Sequence, residues 1–176
     1  MLFILERFVF NKLTRSINCS FIIFSLGAAL SACGSSSSSS SSTVPGINYA
    51  HNLVFKDGTL LSTGYNAFGQ LGNGTTDSRN APGTLSGGNL FNGFATGGNH
   101  SVAFTASGEV FSWGNNVFGQ LGNNTTNNSS VPVKTTLIAD VKAVAAGALH
   151  TLALSGDGSV WAWGWNNYGQ LGDAAV

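Results

Sequence analysis

The chain has 176 residues, 43% of them hydrophobic and only 8% charged, with 24 glycines and a formal net charge of zero. That much apolar character with so little charge excludes a disordered chain. From Cys33 onward four cations (Lys56, Arg79, Lys134, Lys142) stand against six anions (Asp57, Asp77, Glu109, Asp140, Asp157, Asp173), a net of −2, so no basic face exists to displace counterions from a nucleic acid.

The first element is an export segment. Arg7, Lys12 and Arg15 precede an apolar run, "FIIFSLGAAL", from Phe21 to Leu30. Its ten residues suit a signal h-region and are too few to span a bilayer as a helix. "LSAC", Leu30 to Cys33, then resembles the lipobox of bacterial lipoproteins, in which two small residues precede the cysteine that is acylated. The resemblance implies cleavage before Cys33 and acyl chains on it, each buried CH₂ contributing roughly 0.8 kcal/mol of membrane binding. "GSSSSSSSS" follows from Gly34, a composition that buries nothing and reads as a tether. Gly34 is not the Asp that would hold a lipoprotein at an inner membrane. The expected location is the cell envelope, at the outer membrane where a cell has two. Residues 1–33 are thus read as a lipoprotein signal peptide, 34–46 as a Ser-rich tether and 47–176 as the folded part. Cys19 lies in the removed stretch, so the mature chain has no disulfide framework.

The folded part repeats. "HNLVFKDGTLLSTG" begins at His51, "HSVAFTASGEVFSWG" at His100 and "HTLALSGDGSVWAWG" at His150, a period of 49 to 50 residues. Each flows into Gly-x-Asn-x-aromatic-Gly-Gln-Leu-Gly, so Gly69-Gln70-Leu71-Gly72 recurs as Gly119-Gln120-Leu121-Gly122 and Gly169-Gln170-Leu171-Gly172. The paired runs in each copy, "LVF" with "TLLST", "SVAFT" with "EVFSW" and "TLAL" with "SVWAW", alternate and flank Gly-containing turns, as β-hairpins do. "ADVKAVAAG" predicts a further strand before the third hairpin, and "SVPVKTTLI" an outer strand where Pro132 is tolerated near an edge. Nothing has a helical period. Four strands per unit predict an all-β propeller blade, with copies at about 47–98, 99–148 and 149–176.

"VKAVAAGALHTLALSGDGSVWAWGWNNYGQLGD", Val141 to Asp173, resembles the repeat of the regulator of chromosome condensation family, and the likeness extends from about residue 46 to residue 173. It implies a β-propeller, usually of seven blades. The first copy departs from the pattern: Thr63 stands where Trp113 and Trp163 stand, and Leu61 where Phe111 and Trp161 stand. Seven blades of this period need roughly 350 residues, against 144 from Cys33 onward. About two and a half blades are therefore expected, as a C-terminally truncated piece whose missing blades are needed for closure.

The repetition weighs against an active site. His51, His100 and His150 are three imidazoles, yet equivalent positions of successive blades stand apart, whereas a zinc ion needs ligands about 2 Å away; a hydrogen-bonded structural role is expected. Asp57, Asp157 and Glu109 sit in or after turns and form no acid–base pair. No Ser lies in a nucleophile elbow, and the Gly-rich "GGNLFNGFATGG" lacks the Lys of a phosphate loop. No metal and no cofactor are implied. The glycines are expected to permit a tight loop, the leucines to plug the gap between blades and the glutamines to satisfy buried backbone groups. Trp113 and Trp163 are equivalent and suit packing between blades. Trp165 is unique, with Tyr65 and Asn115 at its position, and is the candidate contact residue. Function is expected where copies differ, at 79–94, 126–130 and Trp165.

The resulting expectation is a membrane-anchored, extracytoplasmic module that binds an unknown protein partner and is not an enzyme. The alternatives are the N-terminal part of a larger envelope enzyme or accessory domain, or a purely structural envelope protein. Nucleotide exchange on a nuclear GTPase, the family's eukaryotic role, does not carry over to an exported chain.

Overall fold

The computed structural model describes residues 6–8 and 50–173. The lipobox Cys33, the tether 34–46 and nearly all of the export segment lie outside the described residues. Among the described residues all regular structure is strand: β1 (Glu6–Phe8), β2 (His51–Lys56), β3 (Thr59–Gly64), β4 (Arg79–Thr84), β5 (Phe91–Thr96), β6 (His100–Thr105), β7 (Val110–Gly114), β8 (Ser129–Lys134), β9 (Val141–Ala146), β10 (His150–Ser155) and β11 (Val160–Gly164). They form three antiparallel sheets, ordered β2-β3-β4, β5-β6-β7-β8 and β9-β10-β11-β1. This is an incomplete propeller.

The hairpins follow from local chemistry. Between β2 and β3 only Asp57 and Gly58 intervene, with φ of 50° and 76°, so both central residues are left-handed and the turn's twist matches its strands. The two longer turns place Gly108 (φ 79°) and Gly158 (φ 84°) at the position that demands left-handed backbone. Pro132 lies in β8, the outermost strand of the second sheet, where a missing N–H leaves no ladder bond unmade.

The sheets are out of phase with the His-led copies. β9 pairs with β10, not with β8 that precedes it, and β5 likewise pairs with β6. The last strand of the copies 47–98 and 99–148 therefore opens the next sheet, and each copy is locked into its successor. The first sheet has three described strands. In the third, β1 pairs with β11 (Glu6↔Ala162, Phe8↔Val160), the place that β4 and β8 hold in the other two sheets. Those three residues fall within the stretch read as an export segment.

Two cores lie between the sheets. Leu53 and Leu60 of the first sheet meet Phe91, Ala103 and Trp113 of the second. Ala95, Val102 and Val110 of the second meet Val141, Ala153 and Trp163 of the third. Val102 and Ala103 are neighbours on β6, yet they serve opposite cores, because successive strand residues face opposite sides. The second sheet is thus covered on both faces.

Candidate functional site

The repeated motif folds as one loop in all three copies. Asn66 organises the first: its Oδ1 accepts from the Leu71 N–H at 2.8 Å, and its Nδ2 donates to Asn73 Oδ1 and to the carbonyls of Thr75 and Asp77. Asn116 does the same with Leu121, Asn123, Thr125 and Asn127. Asn166 accepts from Leu171 at 2.9 Å and donates to Asp173. Gly69, Gly119 and Gly169 have φ of 84°, 77° and 73°, and Gly72, Gly122 and Gly172 have φ of 66°, 63° and 80°. Only glycine takes such angles without penalty. Gln70, Gln120 and Gln170 each accept, through Oε1, the N–H two residues earlier at 2.9–3.0 Å. The asparagine stands at a fixed place in the repeated motif, and that spacing is the signal from which its role is legible.

The junction between copies is built from the glutamine backbone. The Gln70 carbonyl accepts from Trp113 Nε1–H and from Ser101 Oγ–H, each at 2.9 Å. The Gln120 carbonyl accepts from Trp163 Nε1–H and Thr151 Oγ–H at the same distance. A Cβ on Gly72 would lie 2.7 Å from the Trp113 Nε1, and one on Gly122 2.8 Å from the Trp163 Nε1, so each glycine clears space for the next copy's indole. Leu71 and Leu121 are fully buried, and Leu171 nearly so. Ser101 and Thr151 are lost in the sequence among many other hydroxyl residues.

The histidines complete the same junction. His51 Nε2 lies 2.8 Å from Ser101 Oγ, and His100 Nε2 2.9 Å from Thr151 Oγ1. Each hydroxyl spends its one proton on the glutamine carbonyl, so the imidazole must donate through Nε2–H. This leaves Nδ1 bare, and His100 Nδ1 is buried without a partner. Burial pushes His51 down to about 4 and His100 down to about 3; nearby His51 and His150 add to the effect on His100. Both rings are neutral near pH 7. Among the described residues no three His, Cys, Asp or Glu side chains come together as a metal cluster.

Trp165 is half-buried on the loop side of the third sheet. Its ring lies 5.9 Å from Phe118 of the preceding copy and 5.1 Å, edge-on, from Tyr168. Val117 (57% exposed), Phe118 (40%) and Tyr168 (84%) continue this row into solvent. The stretch 79–94 contributes Arg79, whose guanidinium donates to the Ser62 carbonyl at 3.0 Å and to the Ser62 hydroxyl at 2.8 Å, an internal brace.

The geometry agrees with known repeats. A family model described as the regulator of chromosome condensation (RCC1) repeat matches residues 57–104 and 107–154, and a second model of that repeat matches 93–120 and 141–170. Among solved structures, human WBSCR16 is similar at 32% identity and a TM-score of 0.61, over 66% of this chain and 31% of that one. Yeast RCC1 (Prp20), solved bound to Kap60, is similar at 25% identity and a TM-score of 0.56, over 66% of this chain and 30% of that one. Prp20p from Saccharomyces cerevisiae, in a structure reported with its binding properties to Gsp1p and histones, gives 25% identity and a TM-score of 0.61, over 72% and 34% of the two chains. The chain spans roughly a third of the length of each. No curated protein matches it.

Proposed function

The chain belongs to the regulator of chromosome condensation (RCC1) repeat family, and from that premise we propose that it is a lipid-anchored protein-binding module of the cell envelope, tethered through Cys33. One observation carries the binding part. Val117 and Phe118 stay exposed although the next copy is docked beside them and the Trp165 ring already lies against Phe118, tilted at 43°. An apolar row left exposed among the described residues, next to exposed polar Asn167, has the composition of a contact site. A related propeller is reported with binding to Gsp1p and histones; the partner proposed here is instead an envelope protein. The anchor rests on "LSAC" and the serine run that follows it.

The test compares proteins captured from envelope extracts by the wild-type chain, by Trp165→Ala and by Val117→Asp. The expected outcome is one specific partner, lost with both variants while their thermal unfolding stays cooperative. An unchanged set of captured proteins overturns the binding site. For the anchor, Cys33→Ser is expected to abolish acyl labelling and release the chain from membranes; unchanged labelling overturns it.

A further inference from the structure

The two junctions are built alike at the Gly-Gln-Leu-Gly loop. They differ at the end where β2 turns into β3 and β6 into β7. From Gly58 to His100 every residue has a counterpart fifty positions on, so the two ends compare residue by residue.

The second junction is closed at that end. Ile138 packs against its core, which includes Val110 and Val141. Thr135 is buried, and its N–H donates to the Val110 carbonyl at 2.9 Å. Lys134 pairs with Glu109, and Lys142 with Asp140.

The first junction replaces these closures. Gly88 stands in the sequence where Ile138 stands, Thr59 and Thr84 where Glu109 and Lys134 stand, and Leu90 where Asp140 stands. A cavity of about 240 Å³ lies there, with Leu60, Leu85 and Phe91 as its apolar wall. Gly87 and Gly88 have φ of 93° and 62°, so the loop runs past in left-handed backbone, which glycine takes freely, and adds no side chain to the space. A Cβ on Gly88 would meet no atom within 4 Å. Leu90, 77% exposed, forms an apolar lip.

The lining selects a ligand. The wall suits a branched aliphatic body, such as the isoleucine side chain that packs at the equivalent position. Thr59, Thr84, Ser86 and Asn89 offer hydroxyls and a carboxamide around it. Among the described residues lining it no side chain is ionisable, so a charged ligand would lose hydration without gaining a counter-charge. The volume is sufficient, because an apolar cavity of about 150 Å³ already holds benzene. We propose that this cavity binds a small uncharged molecule with a branched aliphatic body and one hydrogen-bonding end, at a site separate from the row of Val117, Phe118 and Trp165.

The test titrates the full chain with 2-methylbutan-1-ol, whose sec-butyl group is the isoleucine side chain, and follows backbone amide shifts. Saturable shifts are expected at Leu60, Leu85 and Phe91, with a millimolar dissociation constant, and not at Val117 or Phe118. The 2-methylbutylammonium ion, the same body with a charge, should bind at least about tenfold more weakly. Leu90→Asp copies the second junction's residue at the lip and should weaken binding of the alcohol about tenfold. Transplanting the second junction's loop, with Ser86→Thr, Gly87→Leu, Gly88→Ile, Asn89→Ala and Leu90→Asp together, should abolish saturable binding and raise the unfolding midpoint. The proposal is overturned by no saturable shift at the cavity, by equal shifts at Val117 and Phe118, by equal affinity for the ammonium ion, or by undiminished binding to the transplanted chain. Leu90→Asp lies at an exposed position and decides the matter even where the transplanted loop unfolds the chain: undiminished affinity in it also overturns the proposal.

Discussion

The second and third copies carry the same motif, yet their equivalent residues sit in different surroundings. His100 is enclosed by the third sheet and bonded to Thr151, whereas His150 is half-buried and its pKa is lowered by partial burial alone. Gln120 holds an indole and a hydroxyl on its carbonyl, and among the described residues Gln170 holds neither. In a repeat array each unit's contribution is its own folding plus its interface with a neighbour. The difference between the two copies is that interface term, isolated within one molecule.

Three substitutions or conditions break this comparison or sharpen it. Trp113→Ala removes a fully buried ring that spans the first junction, and should lower stability by about 3–5 kcal/mol in urea unfolding; a loss below about 1 kcal/mol would show that the junction is not what holds the sheets together. Gly122→Ala should cost about 3 kcal/mol, combining left-handed strain with a clash against Trp163. Gly172→Ala meets the same φ penalty, with no indole beside it among the described residues, and should cost about 1–2 kcal/mol. Equal losses at the two glycines would show that the indole clash adds nothing to the φ penalty at Gly122.

The smallest effect is in pH dependence. His51 and His100 titrate below their unfolded value of 6.5, at about 4 and about 3. Above pH 6.5 both states are neutral and nothing is lost. As pH falls from there toward 4 and 3, the unfolded chain binds the protons first, so stability falls. Each ring should account for on the order of 2 kcal/mol between pH 6.5 and about pH 5. Urea unfolding across this range checks it, and His100→Asn should flatten the slope more than His150→Asn.

Much of the architecture is legible along the chain. Alternating "SVAFT" and "EVFSW" around a glycine turn describe β6 and β7, and "DG" at Asp57-Gly58 describes a tight two-residue hairpin. The fixed interval of Gly-Gln-Leu-Gly marks a unit that recurs. The phase of the sheets is not legible, because a periodic sequence has no origin; only pairing shows that β9 joins β10. The glutamines were expected to satisfy backbone groups through their side chains, and they do so locally, but the junction hangs on their carbonyls, which every residue type possesses. Trp165 stands out by its uniqueness, whereas its contact with Phe118 depends on where the second sheet places that ring.

By itself the sequence determined the local elements: strands from alternation, turns from Gly and Asp-Gly, and the recurrence of one loop held by Asn66, Asn116 and Asn166. These depend on contacts within about ten residues, so the chain carries them wherever it goes. Only the tertiary structure decided which imidazole meets which hydroxyl. Those bonds join residues some fifty positions apart, and their strength comes from the desolvation that a neighbouring sheet imposes.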